Sequence, residues 1–413
     1  MEAEKNQPLS LKENMLWNSI GSFFYLVCTW LTTVLVVRLS TSYSDSGSLA
    51  VAMAVGNITS TIVFFKTRPV QVGCKETEYS AADFVGFKVI CSAAGLLVSL
   101  IYTLFTVDIA NYPTTIMYII FKIIETFIDV YQGIFQRNDR LDIAGKSQMA
   151  RGVLIVASFS IGLSVFHTLL SSIILMTLTT LFVVIFYDRR IANRFTQAHA
   201  VYNVCQIKRI ARTCFPGFIS CLLISLVVSQ TRQSYALRYG NELLGVYAAV
   251  ATPTVVIQAI ANYLYAPLYK PISDALRVHD KDWISQLLNK IIAIILLLLI
   301  AGCLTSAFLG SFALSLLYSP SISIHSNLLY GALAVATTNA CLYFLVDVLI
   351  LMKDTIGTIA ASFAPVCCSV LTTGLLLNQD SNSISIIISI SYAIGIMISI
   401  VSIKTRLSQW PSK

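Results

Sequence analysis

The sequence predicts an all-α, polytopic integral membrane protein with about twelve transmembrane helices in two sets of six. Hydrophobic residues make up 56% of the 413 residues and charged residues only 12%, with a mean hydropathy of +0.76. This composition lies outside the range of soluble globular proteins. Apolar segments of spanning length recur along the chain, and Lys and Arg concentrate in alternate connections between them. That alternation is typical of a chain threaded repeatedly through a bilayer.

Each apolar segment can cross the roughly 30 Å hydrocarbon core as a helix that rises about 1.5 Å per residue. The first six segments are about Asn14–Val37, Gly47–Phe65, Phe84–Thr106, Thr114–Phe135, Gln148–His167 and Leu169–Tyr187. The second six are about Phe215–Tyr239, Leu243–Tyr265, Ser285–Phe308, His325–Met352, Thr355–Leu377 and Ser383–Ile403. The longest basic connection separates the two sets. The expected domains are an N-terminal lobe (1–187), a cytoplasmic basic linker (188–213) and a C-terminal lobe (214–413).

The basic residues indicate the orientation of the chain. With the N-terminus inside, all but four of the 28 Lys and Arg residues fall on cytoplasmic segments, the exceptions being Arg38, Lys122, Arg232 and Arg238. This bias satisfies the positive-inside rule with both termini in the cytoplasm. It also accounts for the net charge of +8 without any nucleic acid partner.

A faint internal repeat supports the division into two halves. The second span contains DSGSLAVA around Gly47, and the eighth contains LGVYAAV around Gly245, about half the chain later. Halves with an even number of helices have the same orientation, as parallel repeats do. Chance placement of glycine is the alternative explanation for so short a match.

The fourth span carries three ionisable residues in an otherwise apolar segment. Lys122, Glu125 and Asp129 are spaced i, i+3 and i+7, so they share one face of a helix. Tyr118 and Gln132 extend the same stripe. A charge facing lipid at this depth costs about 3 kcal/mol or more, so these side chains should face a partner or a polar interior. The alternative is an internal salt bridge that only holds this helix in its bundle.

Other spans carry weaker polar stripes. The members singled out are Asn18 and Tyr25 on the first span, Arg232 on the seventh, Gln258 and Asn262 on the eighth, and Asp347 on the tenth. Pro253 lies at a point where it can kink the eighth span. Ordinary interhelical hydrogen bonding is the alternative for the uncharged residues. A snorkelling anchor near the outer leaflet is the alternative for Arg232.

The sequence shows no spacing of a zinc site, Walker loop, nucleophile elbow or dinucleotide fold, and no soluble segment is long enough to form one. We therefore expect neither an enzyme nor a cofactor or metal. If the protein transports something, the energy comes from a source other than its own ATP hydrolysis.

Several short motifs resemble a known family. They are NMLWNSIGS at Asn14–Ser22, VVRL at Val36–Leu39, RPVQ at Arg68–Gln71, EYS at Glu78–Ser80, YQGIFQR at Tyr131–Arg137 and RLDIAGKS at Arg140–Ser147. With these motifs the chain resembles the bacterial Wzx-type flippases of polysaccharide and O-antigen repeat units. Those proteins belong to the multidrug/oligosaccharidyl-lipid/polysaccharide exporter (MOP) superfamily. The C-terminal half matches mainly in helix number and length.

The resemblance implies two six-helix lobes around a central cavity that opens alternately to either side of the membrane. The expected function is to carry an undecaprenyl-pyrophosphate-linked oligosaccharide from the cytoplasmic to the periplasmic, outer leaflet, coupled to a cation gradient. The expected partners are this lipid-linked substrate, membrane lipids, H+ or Na+, and other polysaccharide-assembly membrane proteins. The expected location is the bacterial cytoplasmic (inner) membrane.

The resemblance also suggests roles for residues. Substrate-binding candidates in the cavity are Lys122, Arg232, Asn18, Tyr25, Gln258 and Asn262. Ion-coupling candidates are Glu125, Asp129 and Asp347. Cytoplasmic loop-motif candidates are Arg68, Gln71, Gln136, Arg137, Arg140 and Asp142. The chemistry agrees, because Lys and Arg in a hydrated chamber can bind a pyrophosphate.

Three other functions remain as alternatives. A cation-coupled multidrug exporter of the same superfamily would favour acidic and aromatic lining over Lys122. A membrane glycosyltransferase or polysaccharide polymerase would need a large outer loop bearing Arg and acidic residues, and the longest outer segment, Leu309–Ile324, contains neither. A membrane scaffold would leave the buried charges unexplained.

Overall fold

The computed structural model describes residues 8–39, 43–74, 78–107, 109–239, 241–317 and 323–409. Every regular element in these ranges is helical, and they contain no β-strand. Nine of the described helices are long and apolar enough to cross a membrane. The protein is therefore an all-α, polytopic membrane protein, as the sequence predicts.

The first part of the chain forms nine α-helices. They are α1 (Leu11–Leu39), α2 (Tyr43–Phe64), α3 (Thr67–Gly73), α4 (Ala81–Thr106), α5 (Tyr112–Arg137), α6 (Leu141–Phe166), α7 (Leu169–Val183), α8 (Arg190–Phe195) and α9 (Val204–Tyr239). A π-helical segment, Val184–Arg189, continues α7 into α8 without a break.

Seven further helices follow in the described residues. They are α10 (Asn241–Ala251), α11 (Val255–Tyr265), α12 (Tyr269–Arg277), α13 (Lys281–Leu317), α14 (Leu328–Leu351), α15 (Thr355–Leu376) and α16 (Asn382–Ser408). Short 3-10 turns that contain Pro253 and Pro267 separate α10, α11 and α12. The sequence predicts that Pro253 can kink the eighth span, and the helix is interrupted there by a 3-10 turn, since proline removes a helical hydrogen bond.

The nine apolar helices correspond to nine of the twelve predicted spans. The other three predicted spans coincide with α2, with the charged helix α5, and with the interrupted pair α10 and α11. The tight connection between the fifth and sixth spans is confirmed. His167 there has a φ of 54°, in the left-handed region, and the side chain of Thr168 caps α7 by accepting from the Ser171 amide at 3.3 Å.

The structure differs from the sequence prediction at two short helices and at several helix boundaries. Two short helices, α3 and α12, occupy segments predicted as loops. α6 begins at Leu141 instead of Gln148, α9 begins at Val204 instead of Phe215, and α13 ends at Leu317 instead of Phe308. Apolar length marks where a chain crosses the bilayer, whereas these polar or short helical extensions depend on contacts with neighbouring helices.

The chain divides into two compact units, Met1–Phe215 and Pro216–Lys413, which we call unit 1 and unit 2. Residues 188–213, predicted as a linker, fall within unit 1. The Val201 amide donates to the Ala82 carbonyl at 3.3 Å, and a Cβ on Gly86 would overlap the Val201 backbone. The connection therefore lies directly on α4.

Unit 1 is a bundle in which α1 packs along α6, α2 packs on α4 and α5, and α5 contacts α7. Its apolar core is formed by residues of α1, α2, α5, α6 and α7, namely Val36, Leu49, Ala52, Tyr118, Phe121, Ile155, Phe159, Leu163, Leu169, Ile173 and Met176. In unit 2, α14 is the central helix and contacts α10, α11, α13, α15 and α16. Each unit therefore has its own core.

Candidate functional site

A largely buried network of charged side chains lies on one face of α5, inside unit 1. Lys122 Nζ donates to Glu125 Oε2 at 2.6 Å, and the Tyr25 hydroxyl on α1 donates to Glu125 Oε1 at 2.5 Å. The guanidinium of Arg151 on α6 lies over the Tyr25 ring, 4.8 Å from its centroid. The Lys122 and Glu125 side chains are 19% and 13% exposed. Both oxygens of the Glu125 carboxylate therefore have donors.

Asp129 forms a second set of ion pairs on the same helix. Arg68 Nε on α3 donates to Asp129 Oδ1 at 3.0 Å, and Lys88 Nζ on α4 donates to Asp129 Oδ2 at 3.2 Å. Arg68 also donates to Gln132 at 2.7 Å and to Gln136 at 3.4 Å. Lys88 is only 1% exposed, so its charge depends on this carboxylate.

The alternative interpretation, in which Lys122, Glu125 and Asp129 form one internal salt bridge, does not match the observed pairs. Asp129 pairs with Arg68 and Lys88, whereas Lys122 pairs with Glu125. Asp129 lies seven positions after Lys122, about 10 Å along the helix axis. Arg68 on α3 and Lys88 on α4 lie within 3.2 Å of the Asp129 carboxylate, much closer than Lys122. α5 therefore carries two separate ion-pair sets.

Arg68 reaches α5 because Gln71 fixes α3 against that helix. Gln71 Nε2 donates to the Val130 carbonyl at 2.9 Å, and a Cβ on Gly133 would overlap the Gln71 amide. Lys66, before α3, has a φ of 50°, and this left-handed residue turns the chain sharply out of α2. Glycine at position 133 therefore allows α3 to approach α5 closely.

The two ion-pair sets border two partly open cavities within unit 1. A cavity of about 170 Å³ is lined by Lys122, Glu125 and Asp129 together with Gln148 and Arg151. A second cavity of about 260 Å³ shares Lys122 and Glu125 and is otherwise lined mainly by apolar and hydroxyl side chains. The three charged residues of the stripe thus face polar space within the bundle.

Positive charge is in excess around this space. The two ion-pair sets contain three cationic side chains and two carboxylates, and Arg151 beside Tyr25 adds a fourth cation. The fully buried Asp188, in the π-helical segment, adds a third carboxylate and interacts with Arg151. Ser147 Oγ donates to Asp188 Oδ2 at 3.0 Å, and no group in the described ranges hydrogen-bonds its Oδ1.

The motif segments at the start of α1 and around the α5–α6 connection pack against each other. Asn14 Nδ2 donates to the Asp139 carbonyl at 3.0 Å, and Asn14 Oδ1 accepts from the Leu141 amide at 2.8 Å. A Cβ on Gly21 would overlap the backbone of Gly145, so α1 and α6 are in backbone contact there. The polar stripe of the first span therefore faces α5 and α6.

The predicted cytoplasmic loop motifs are largely helical. Arg68 and Gln71 lie on α3, Gln136 and Arg137 end α5, and Asp142 lies in the first turn of α6. The expectation of loops is wrong for these five residues, because the hydrogen bonds described above and one from Arg137 to the Cys74 carbonyl at 3.1 Å tie the segments together.

Of the loop-motif residues, only Arg140 lies between helices. Its Nε and Nη2 donate to the two oxygens of Asp142 at 2.8 and 3.1 Å, a bidentate pair. Lys146 Nζ donates to the same carboxylate at 3.1 Å. Hydrogen bonding to Asp142 raises the pKa of the Arg140 guanidinium, so this residue is a fixed charge.

The candidate residues of unit 2 make contacts of their own. The guanidinium of Arg232 on α9 lies 5.6 Å from the ring centroid of Tyr247, which is 1% exposed. This contact favours an internal position for Arg232 over a snorkelling anchor. Asp347 accepts from the Tyr269 hydroxyl at 2.6 Å, and Tyr269 is buried.

The uncharged candidates Asn262, Gln258 and Asn18 show no feature that distinguishes a binding site from ordinary packing. Asn262 Oδ1 accepts from the Tyr265 hydroxyl on the same helix at 2.5 Å. Gln258 on α11 and Asn18 on α1 are half-buried. The Asn262 contact and the half-buried positions of Gln258 and Asn18 are consistent with ordinary packing between helices as well as with substrate binding.

Comparison with known proteins relates this architecture to transporters. No family model matches the sequence. The capsular polysaccharide biosynthesis protein CapF of Staphylococcus aureus is 22% identical over 308 residues, which cover 74% of this chain and 77% of that protein. A mutant of the Vibrio cholerae MATE transporter VcmN is similar in structure, with a TM-score of 0.73, 14% identity and 97% of each chain covered.

Two further solved structures give the same result. The eukaryotic MATE transporter AtDTX14 matches with a TM-score of 0.73 and 11% identity, covering 97% of this chain and 96% of that one. A MOP superfamily transporter from Pyrococcus furiosus matches with a TM-score of 0.67 and 14% identity, over 97% and 96%. The chain therefore has the fold of these transporters.

Lys88, Arg151 and Asp188 belong to the site but are absent from the sequence-based candidates. In the sequence-based prediction, Lys88 and Arg151 are only two of the basic residues that indicate the orientation of the chain in the membrane. Both lie inside predicted spans, close to their ends, and a charge within a span was the signal that could have identified them. Asp188 follows the sixth span directly, and only the π-helical continuation shows that it is buried.

Proposed function

We propose that the protein is a flippase that translocates an undecaprenyl-pyrophosphate-linked oligosaccharide repeat unit by alternating access. Transport runs from the cytoplasmic to the outer leaflet of the bacterial cytoplasmic membrane. The observation that carries this proposal is the largely buried, net positive network on α5. Cationic groups in a hydrated space suit a pyrophosphate, and the similarity to CapF, a capsular polysaccharide biosynthesis protein, supports the same class of cargo.

Lys122 is the proposed phosphate contact, because it lies about 15 Å from the start of α5 at Tyr112, near the middle of the bilayer. In the empty state Glu125 neutralises the ammonium, since an unpaired charge in a low-dielectric wall is strongly unfavourable. An incoming pyrophosphate takes the place of Glu125 as the partner of Lys122. H+ or Na+ then compensates the released carboxylate, and this exchange couples transport to a cation gradient.

The remaining assignments follow the same chemistry. Asp129 is a second ion-coupling carboxylate, and Tyr25 orders Glu125 through its hydroxyl. Asn18 is a further contact on α1. In unit 2, the proposed substrate contacts are Arg232, Gln258 and Asn262, and the proposed ion-coupling residue is Asp347. H+ or Na+, membrane lipids and other polysaccharide-assembly proteins are the proposed partners.

A cation-coupled multidrug exporter is the second candidate function. The fold shared with MATE transporters favours it. An exporter of cationic drugs is expected to present acidic and aromatic side chains. In the network on α5, cationic side chains outnumber carboxylates, which favours an anionic cargo.

A Lys122 series tests the proposed function in cells. In a strain that lacks the gene, we expect the lipid-linked repeat unit to accumulate on the cytoplasmic side and the wild-type gene to restore polysaccharide export. Lys122→Arg should restore part of the export, Lys122→Ala little, and Lys122→Glu none, at equal amounts of membrane protein. Lys290→Ala, at an exposed position on α13, is the matched control and should restore export fully.

The outcomes separate the two functions. Normal polysaccharide export by Lys122→Glu contradicts the role of this lysine. A strain that lacks the gene, accumulates no lipid-linked intermediate and becomes sensitive to cationic drugs favours the multidrug exporter.

A further inference from the structure

An open groove lies on the side of α5 that faces away from Lys122. Its volume is about 410 Å³. The walls come from α4, α5, the end of α7 with its π-helical continuation, and the segment before α9, all within unit 1. The lining includes Val85 and Ser92 on α4, Ile123 and Tyr131 on α5, Leu181 on α7, and Arg189 and His199 at one end.

The groove has the length and polarity of a site for a hydrocarbon chain. The lining runs from Val85 to Ser92 on α4 and from Ile123 to Tyr131 on α5, which is about 10–12 Å of helix. One leaflet of the hydrocarbon core is about 15 Å thick. Ile185 on the rim is 42% exposed, so the groove opens on the surface of unit 1.

One end of the groove is cationic and carries an unused hydrogen-bond donor. The Arg189 and His199 side chains are exposed there. Tyr131 is only 4% exposed, its hydroxyl interacts electrostatically with Arg189, and it makes no hydrogen bond to any residue of the described ranges. The Asp188 carboxylate also interacts electrostatically with Tyr131. It accepts from Ser147, interacts with Arg151 and is not among the lining residues, which include no carboxylate.

We propose that this groove binds one anionic phospholipid. Its phosphate lies against Arg189, His199 and the Tyr131 hydroxyl, and one acyl chain runs between α4 and α5 toward Ile123. Basic pockets between transmembrane helices on the cytoplasmic side are typical sites for anionic headgroups. In the predicted topology Arg189 is cytoplasmic, so the lipid belongs to the inner leaflet. The charge at the groove end is what selects an anionic lipid over a zwitterionic one.

Lipid binding to the purified full-length protein tests the proposal without any transport assay. Native mass spectrometry in detergent, with added phosphatidylglycerol or phosphatidylcholine, reports the number and retention of bound lipids. The wild type should retain one phosphatidylglycerol in preference to phosphatidylcholine. Arg189→Gln combined with His199→Gln should weaken that binding at least about fivefold, the effect of one charge near the surface.

Two further variants separate the groove from general surface charge. Arg190→Gln combined with Arg194→Gln changes two exposed arginines in the same segment that do not line the groove, and it should leave the binding unchanged. Tyr131→Phe removes only the hydroxyl and should weaken binding about twofold or more if it donates to the phosphate. A thermal melt of each variant shows that it is folded.

Any of five results would overturn the proposal. The first is equal retention of both lipids by the wild type, and the second is an equal loss of binding in the control pair. The third is no effect of Tyr131→Phe together with none in the double variant. The fourth is full displacement by glycerol phosphate, which indicates a small-anion site. Preferential retention of a polyprenyl phosphate over phosphatidylglycerol would also overturn it, because the groove would then belong to the cargo.

Discussion

Lys122 and Glu125 lie one turn apart on α5, and the two side chains form an ion pair of 2.6 Å that is only partly open to solvent. The i, i+3 spacing predicts this contact, because residues with that spacing are neighbours on a helix. The partners of Asp129 were not predictable in the same way. Arg68 and Lys88 come from α3 and α4, and their proximity depends on how those helices pack.

The ion pair predicts an unusual pattern of stability. We expect Glu125→Gln alone to lower the free energy of unfolding by about 3 kcal/mol, since Lys122 is left as an uncompensated charge. Lys122→Met combined with Glu125→Gln should recover most of that loss. Thermal melts of the purified protein in detergent measure both. A double variant that is less stable than Glu125→Gln would contradict the pairing.

The same double variant separates structure from transport. If the pair only holds the bundle together, the double variant should export polysaccharide normally. If Lys122 contacts the cargo, the double variant should be folded and inactive. Asp129 is left unchanged in the double variant, because Arg68 and Lys88 both depend on its carboxylate.

Asp354, in the connection before α15, is a titrating residue whose effect on stability has a definite sign. It accepts hydrogen bonds from the Gly357 amide at 3.1 Å, from Ser402 Oγ at 2.6 Å and from Arg406 at 3.2 Å. Burial acts to raise the pKa of the Asp354 carboxyl, but these hydrogen bonds outweigh burial and lower it. The lowered pKa stabilises the folded state above the unfolded-state pKa of about 3.9, and this contribution disappears as the pH falls through the folded-state pKa.

We therefore expect Asp354→Asn to lower the free energy of unfolding by about 1–2 kcal/mol at pH 7, and less as the pH falls below about 4. Arg406 is half-exposed, so its ion pair contributes little of this. Melting temperatures measured between pH 7 and pH 3 test the prediction. Asp282→Asn, at an exposed carboxylate on α13, is the control and should show a small effect at every pH. An equal deficit of Asp354→Asn at both ends of the range would contradict it.

At the scale of helices, the contact between α1 and α6 depends on glycine. A Cβ on Gly145 would approach the Trp17 carbonyl oxygen to 2.5 Å, and one on Gly21 would overlap Gly145 itself. These glycines occur within the sequence motifs NMLWNSIGS and RLDIAGKS. The motifs thus specify a close helix contact as well as any function.

We expect Gly145→Ala to lower the free energy of unfolding by about 1–3 kcal/mol, because the added methyl group forces α1 and α6 apart. Gly374→Ala, on α15, is the matched control, since a Cβ added there would meet no heavy atom within 4 Å. The gain in helix propensity is the same in both, and the control should be stabilised by up to about 1 kcal/mol. Equal melting temperatures for the two variants would contradict close packing at Gly145.

Hydropathy predicts the long helices well because a spanning segment must be apolar over a fixed length. It misses α3 and α12, since short helices are stable only through tertiary contacts such as the bond from Gln71 to the Val130 carbonyl. It also misses the π-helical segment that buries Asp188, because nothing in the local sequence distinguishes it from the end of a span.

At the scale of the whole molecule, the orientation in the membrane remains a prediction that reporter fusions test. Fusions after Asp142, Asn203, Asp280 or the C-terminus should report the cytoplasm. Fusions after Ser44, Asn111, Asn241 or Ser321 should report the outer side; Ser321 lies outside the described residues. This orientation is expected because most Lys and Arg residues lie in the segments assigned to the cytoplasm. A cytoplasmic signal at Asn241 would contradict the prediction that the two sets of six helices have the same orientation in the membrane.

The most direct test of the central claim is translocation by the purified protein. Proteoliposomes are loaded on one side with a fluorescent undecaprenyl-pyrophosphate oligosaccharide, a cation gradient is imposed, and an impermeant quencher reports the fraction that has crossed. We expect wild-type protein to move the lipid-linked sugar at a rate that Lys122→Glu abolishes and Lys290→Ala leaves unchanged. No movement by wild-type protein under either an H+ or a Na+ gradient, with export of a cationic dye by the same vesicles, would contradict the account.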